Sequence, residues 1–146
     1  MGDPCCDRHA ILDIVAEYAH AVDDRDIDRI VACFSRDGRI EFEGGQTSGE
    51  GHDGIRTAYE QAFAQPVFAL PATSTHLMSN TLMSIDADNA HAETEGVAFL
   101  ASGPLGQVTT RGLRYSDDLR REAAGWRITR RIHRSIWQTT APGEVH

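Results

Sequence analysis

Residues 75–88 read THLMSNTLMSIDAD and residues 89–102 read NAHAETEGVAFLAS. Both are long, rich in alternating apolar and polar residues, and bounded by turn formers, as strands are. Two more stretches follow, GQVTTRGLRYSDDLRRE (106–122) and GWRITRRIHRSIWQ (125–138). DADN, SGPLG and EAAG separate the four stretches as turns. Four consecutive long strands with short turns predict an antiparallel meander.

Upstream of residue 74 the pattern is helical. Ile11, Leu12, Ile14, Val15, Tyr18, Ala19 and Val22 recur at helical spacing, with Asp7 as a candidate N-cap. Asp26 is placed to cap a second short helix, DIDRIVACF (26–34), with Cys33 in its core. SRDG (35–38) reads as a turn, RIEFE (39–43) as a short strand and GGQTSGEGHDG (44–54) as a loop. A third helix is expected over roughly 53–65, closed by QPVFALP. Helices followed by a meander mean an α+β fold. The expected form is a cone-shaped, curved antiparallel sheet packed against three N-terminal helices, enclosing a pocket. One domain is expected over residues 7–138, with 1–6 and 139–146 as flexible termini.

The 146 residues suit one domain, and no apolar run is long enough to span a bilayer. The N-terminus lacks a secretory pattern, so a cytoplasmic location is expected. A formal net charge of −8 argues against nucleic acid as a partner. All 14 cationic side chains are Arg. Without lysine, a Schiff base, a pyridoxal anchor and a P-loop are excluded. Three cysteines without paired spacing make neither a disulfide framework nor a zinc site. His20, His52, His91 and His133 are scattered without metal-binding spacing. Neither a metal nor a cofactor is expected.

His76 shares a strand face with Met78, Asn80 and Leu82. It reads either as a structural histidine or as a base facing an interior pocket. At about 100° per residue, Asp23 falls on the edge of the first helix's apolar stripe. A carboxylate at a helix C-terminus opposes the macrodipole and calls for a compensating partner, which an imidazole supplies. Tyr18 lies on the same stripe, and its hydroxyl could reach the same space. Arg114, Arg131 and Arg134 are candidates for stabilising negative charge, and Tyr115 is a candidate pocket residue. Met78, Leu82, Phe42, Phe63 and Phe68 are expected to shape the pocket.

EYAHAVDDRDIDRIVACFSRDG, GHDGI, STHLMSN and RGLRYSDDLRREAAGWRITRRIHRSIW, in that order, resemble the SnoaL-like branch of the nuclear-transport-factor-two-like superfamily. The superfamily includes scytalone dehydratase, hexachlorocyclohexane dehydrochlorinase and bile acid 7α-dehydratase. The resemblance implies that Asp23 orients His76, which removes a proton from carbon. It also implies a tyrosine five residues before the Asp, here Tyr18, and an H-x-x-x-N pattern ending at Asn80. Val22, Phe42 and Leu100 stand where scytalone dehydratase has two tyrosines and a second histidine, so that particular substrate is not expected. The resulting expectation is a cofactor-free lyase or isomerase acting on a small hydrophobic polyketide, terpenoid or steroid. Its site would be His76, Asp23 and Tyr18, with Asn80, Phe42, Met78, Leu82, Tyr115, Arg131 and Arg134 around the substrate. Alternatives are a polyketide cyclase, an epoxide hydrolase, or a non-catalytic binding protein like a dioxygenase small subunit. A homo-oligomer, dimer or trimer, is implied.

Overall fold

A computed structural model describes residues 4–43, 48–68, 72–102 and 106–143. Helix α1 spans Pro4–Asp24 and α2 spans Ile27–Ala32. Strand β1 (Phe34–Phe42), β2 (Ser48–Glu50) and helix α3 (Gly51–Phe63) follow, then a 3₁₀ turn at Pro66–Phe68. The meander is β3 (Ala72–Asp86), β4 (Asn89–Ser102), β5 (Gln107–Glu122) and β6 (Gly125–Pro142). Six strands form one open sheet in the order β2-β1-β6-β5-β4-β3. The expected α+β architecture is present. One pairing departs from an all-antiparallel sheet: β1 runs parallel to β6, while the other pairs are antiparallel.

Ile11, Val15, Tyr18 and Val22 set the inner face of α1; Leu12, read as part of the stripe, is 40% exposed. Asp7 is not the N-cap, because the helix already begins at Pro4. Its carboxylate instead accepts two bonds from Arg121, at 2.6 and 2.7 Å, and one from Trp126 Nε1 at 3.2 Å. This ties the start of α1 to the β5–β6 hairpin. Residues 4–6 and 139–142, assigned above to the termini, belong to α1 and β6. The β5 ladder carries β6 out to the pair Gln107↔Pro142. Residues 1–3, 44–47, 69–71, 103–105 and 144–146 lie outside the described residues, and with them parts of the expected termini, loop and turns.

Asp26 does cap α2: its side chain accepts from the Arg29 amide at 3.1 Å. Asp26→Ala should therefore lower stability by about 1 kcal/mol, read from urea unfolding. A loss below about 0.3 kcal/mol would deny the cap a role.

The register shifts in four places, two of them in the β5–β6 pairing, and the shifts in β1 and β3 bear most on the site. SRDG is not a free turn but lies inside β1, where five residues pass two on β6, from Phe34↔Ile128 to Arg39↔Arg130. The turn formers are spent on a bulge rather than a chain reversal. In β3 the register slips between Ser79↔Glu95 and Leu82↔Glu93, with Asn80 at φ 50°. One extra residue inverts the alternation. Ser74, His76 and Met78 face inward before the bulge; Thr81, Met83 and Ile85 do so after it.

Candidate active site

A pocket of about 550 Å³ lies between the sheet and the helices. Tyr18 and Val22 of α1, with Tyr59, Ala62 and Phe63 of α3, form one wall. Phe42, against His133, and Phe68, against Phe63, add apolar rings to the lining. The sheet supplies Ser74 and His76 from β3, Ala98 and Leu100 from β4, Arg111 and Tyr115 from β5, and His133, Ser135 and Gln138 from β6.

Asp23 and His76 meet at its edge. The Asp23 carboxylate accepts from His76 Nδ1 at 2.7 Å, from the His76 amide at 2.8 Å and from Ser74 Oγ at 2.7 Å. The side chains are only 12% (His76) and 18% (Asp23) exposed. Burial pushes the Asp23 carboxyl upward. The bonds from the His76 ring, Ser74 and the His76 amide outweigh it and hold the group below its ordinary value. The carboxylate makes Nδ1 the protonated nitrogen. Nε2 is then an acceptor, and among the described residues it has no protein partner.

Tyr18 is buried, and its hydroxyl bonds to that of Tyr59. Burial raises both phenols above the usual range, so both remain proton donors at neutral pH. Arg131 lies behind this wall, fully buried. It is bidentate to Asp117 at 2.7 and 2.6 Å, with its guanidinium 4.0 Å from the Tyr18 ring and 4.5 Å from the Tyr115 ring. Burial opposes its charge, and Asp117 more than compensates.

His133 is buried between Phe42 and Tyr115, with ring centroids 5.1 and 5.0 Å away. Burial, then Arg111, Arg131 and His76, push its pKa down to about 3. It is neutral in the folded protein, whereas in the unfolded chain it would titrate near 6.5. Below about pH 6.5 the unfolded state therefore takes up the extra proton, and stability falls on acidification by about 1.4 kcal/mol per pH unit. His133→Gln should remove that slope. Urea unfolding at about pH 6.5 and about pH 5 should show wild type losing about 2 kcal/mol more than the variant. Equal losses would mean that His133 is not held neutral.

Of the residues expected around a substrate, Tyr18, Phe42 and Tyr115 line the pocket, as do Phe63 and Phe68. Met78 does not. It faces inward but lies over Gly96, where an added β-carbon would sit 2.7 Å from its sulfur. Leu82 is 77% exposed, because the bulge turns it outward. Asn80 is the bulge residue, exposed, and bonds to Glu95 rather than facing the pocket. Arg131 is structural in its contacts, Arg134 pairs with Glu43, and Arg114 pairs with Glu95 at 2.7 Å on the outer face.

Arg111, His133, Ser74 and Tyr59 reach the pocket without having been singled out for it. A signal existed for two of them. Arg111 shares strand parity with Tyr115, and His133 shares it with Arg131.

A helix-lined open sheet with a His–Asp pair at a pocket invites comparison with known proteins. The sequence profile of a family described as a SnoaL-like domain matches residues 3–132. The chain belongs to the SnoaL-like domain family. A candidate aromatic ring hydroxylase from Novosphingobium aromaticivorans is 30% identical, with 96% of each chain covered and a TM-score of 0.80. An uncharacterised protein of Mycobacterium tuberculosis is 29% identical over 135 residues, 90% of this chain and 87% of that one. Hexachlorocyclohexane dehydrochlorinase type 3 from Novosphingobium barchaimii is 17% identical, covers 97% and 94%, and has a TM-score of 0.82, which shows a shared fold. No helix among the described residues of this SnoaL-like protein is long and apolar enough to cross a membrane. No group of three or more His, Cys, Asp or Glu side chains there is arranged to hold a metal ion.

Proposed function

We propose that this SnoaL-like protein is a cofactor-independent lyase or isomerase of dehydratase type, with His76 as general base and Asp23 as its orienter. The observation that carries the reading is the 2.7 Å Asp23–His76 contact beside a largely apolar pocket. Asp23 fixes the imidazole tautomer and stabilises the imidazolium as it forms. Nε2 takes a proton from carbon. In an elimination, the electron pair of that C–H bond becomes the new C=C bond as the bond to the leaving group on the next carbon breaks. A departing hydroxide needs a proton, and the Tyr18–Tyr59 pair supplies a neutral donor at the pocket wall. The chemistry asks for no more than these groups.

A cavity of about 550 Å³ lined by Phe42, Phe63 and Phe68 suits a small hydrophobic polyketide, terpenoid or steroid. The shared fold with a dehydrochlorinase, an enzyme named for an elimination, supports the same reading. The outer sheet face exposes Leu77, Ile136 and Trp137, which supports a homo-oligomer.

A second reading is a non-catalytic, small-subunit-like partner. The 30% identity to a candidate aromatic ring hydroxylase favours it, and copurification with a larger iron–sulfur subunit would support it. The discriminating experiment is turnover of cyclic β-hydroxy ketones in ¹⁸O-labelled water by the isolated protein. An unlabelled enone, formed by wild type and not by His76→Gln, is the expected product. Solvent label in a diol formed from added epoxides would indicate hydrolysis, and no conversion of any kind would favour the partner reading.

A further inference from the structure

Strand register lines up a row across the pocket floor. His76 pairs with Ala98, Ala98 with Arg111, and Arg111 with Gln138. All four line the cavity. Residues paired directly across neighbouring strands point to the same face, and each step spans about 4.8 Å. His76 and Arg111 therefore stand two strands apart, about 10 Å between backbones, with only the methyl group of Ala98 between them. The floor is open at the middle of the row because the central residue is small.

Arg111 is unlike most arginines of this chain. Arg29, Arg56, Arg114, Arg120, Arg121, Arg130, Arg131 and Arg134 all pair with carboxylates. Among the described residues, Arg111 pairs with none. It donates instead from Nε to Ser135 Oγ, at 3.3 Å. Glu43, the acidic residue on the pocket lining, is engaged by Arg134. Asp23, beside the lining, is engaged by His76 and Ser74. Neighbouring His133 is neutral, so the positive charge at this end of the row is that of Arg111.

We propose that Arg111 binds the oxygen of an enolisable carbonyl substrate, whose acidic carbon lies over Ala98 and faces His76. This rests on the reading of His76 as base and narrows it to a substrate class. An acidic carbon and its carbonyl oxygen are about 2.4 Å apart, and each needs about 3 Å to its partner atom. Two side chains converging from about 10 Å apart leave that room. When Nε2 takes the proton, the C–H pair becomes the C=C bond of an enolate and the carbonyl π pair moves onto oxygen. The guanidinium meets that oxygen with preformed N–H donors, which stabilise the negative charge as it develops there. Haloalkanes and plain alcohols lack that oxygen and would leave Arg111 without a partner.

The test needs no turnover. 4-Nitrophenolate is a planar oxyanion that mimics an enolate, and its ionisation is read from its visible absorbance; 4-nitroanisole is its uncharged counterpart. Wild type should bind 4-nitrophenol as the phenolate and lower its apparent pKa by about one unit or more. Arg111→Gln should abolish that shift and weaken phenolate binding by about tenfold or more, while changing 4-nitroanisole affinity less than about threefold. Arg111→Lys should retain part of the phenolate preference. Ala98→Leu, which fills the floor, should weaken both probes together. His76→Gln should keep the phenolate preference, so a failure of the base assignment and a failure of this one are separable. A phenol bound in its neutral form by wild type, no phenolate binding at all, or an unchanged preference in Arg111→Gln would each overturn the proposal.

Discussion

Asp117→Ala is expected to destabilise the fold by about 3–5 kcal/mol, the largest single effect on stability in the molecule. Arg131 and Asp117 are both fully buried and bonded through both carboxylate oxygens. Removing the carboxylate leaves a guanidinium stranded among Tyr18 and Tyr115. The charge cannot be shed, because arginine does not deprotonate in proteins. Replacing both partners with apolar residues, as in Arg131→Met with Asp117→Leu, should recover most of the loss. Urea unfolding of the single and double variants checks this. A single variant that loses less than about 1 kcal/mol would show that the pair is solvated or dispensable. The same variant should also disturb the pocket, since Arg131 supports the ring of Tyr18 from behind.

The largest effect on activity is expected at the dyad. His76→Gln should lower turnover by roughly 10²–10⁴-fold, the span of a lost general base. Asp23→Asn should cost a comparable amount, through the ring rather than through contact with substrate. An asparagine amide turned toward Nδ1 favours the wrong tautomer and leaves the imidazolium without its counter-charge. Paired mutants separate the roles. If the two side chains act as one unit, the double variant should be little worse than either single variant. Independent, additive losses would contradict that coupling.

Much of this site is legible from residue spacing. Tyr18 and Val22 lie on one turn-repeated stripe of α1, and Asp23 sits at its edge. A histidine on the first long strand then supplies the partner. What failed was alternation carried across a bulge. Counting in twos from His76 leads through Met78 to Asn80 and Leu82, but the chain inserts one residue there and the parity inverts. Asn80 carried the only local hint, since asparagine tolerates the left-handed conformation that bulges use. The arginines failed for a different reason. Arg114 and Arg134 stand one residue out of phase with Tyr115 and His133; Arg114 meets Glu95 on the outer face, and Arg134 is taken up by Glu43 of the pocket lining. Arg111 and His133 are in phase with the pocket. Strict parity within β5 and β6 would have selected them, whereas proximity in sequence to a plausible pocket residue does not. The parallel pairing of β1 with β6 joins segments almost a hundred residues apart, and no local pattern announces such a pairing.

The central claim is that the imidazole at position 76 removes a proton from carbon. Solvent deuterium reports that event even where no leaving group is present. Wild-type protein, incubated in heavy water with small cyclic ketones, should place deuterium on the carbon next to the carbonyl, and His76→Gln should reduce the rate to near the uncatalysed background. Equal exchange by wild type and His76→Gln, with the variant folded, would contradict the account.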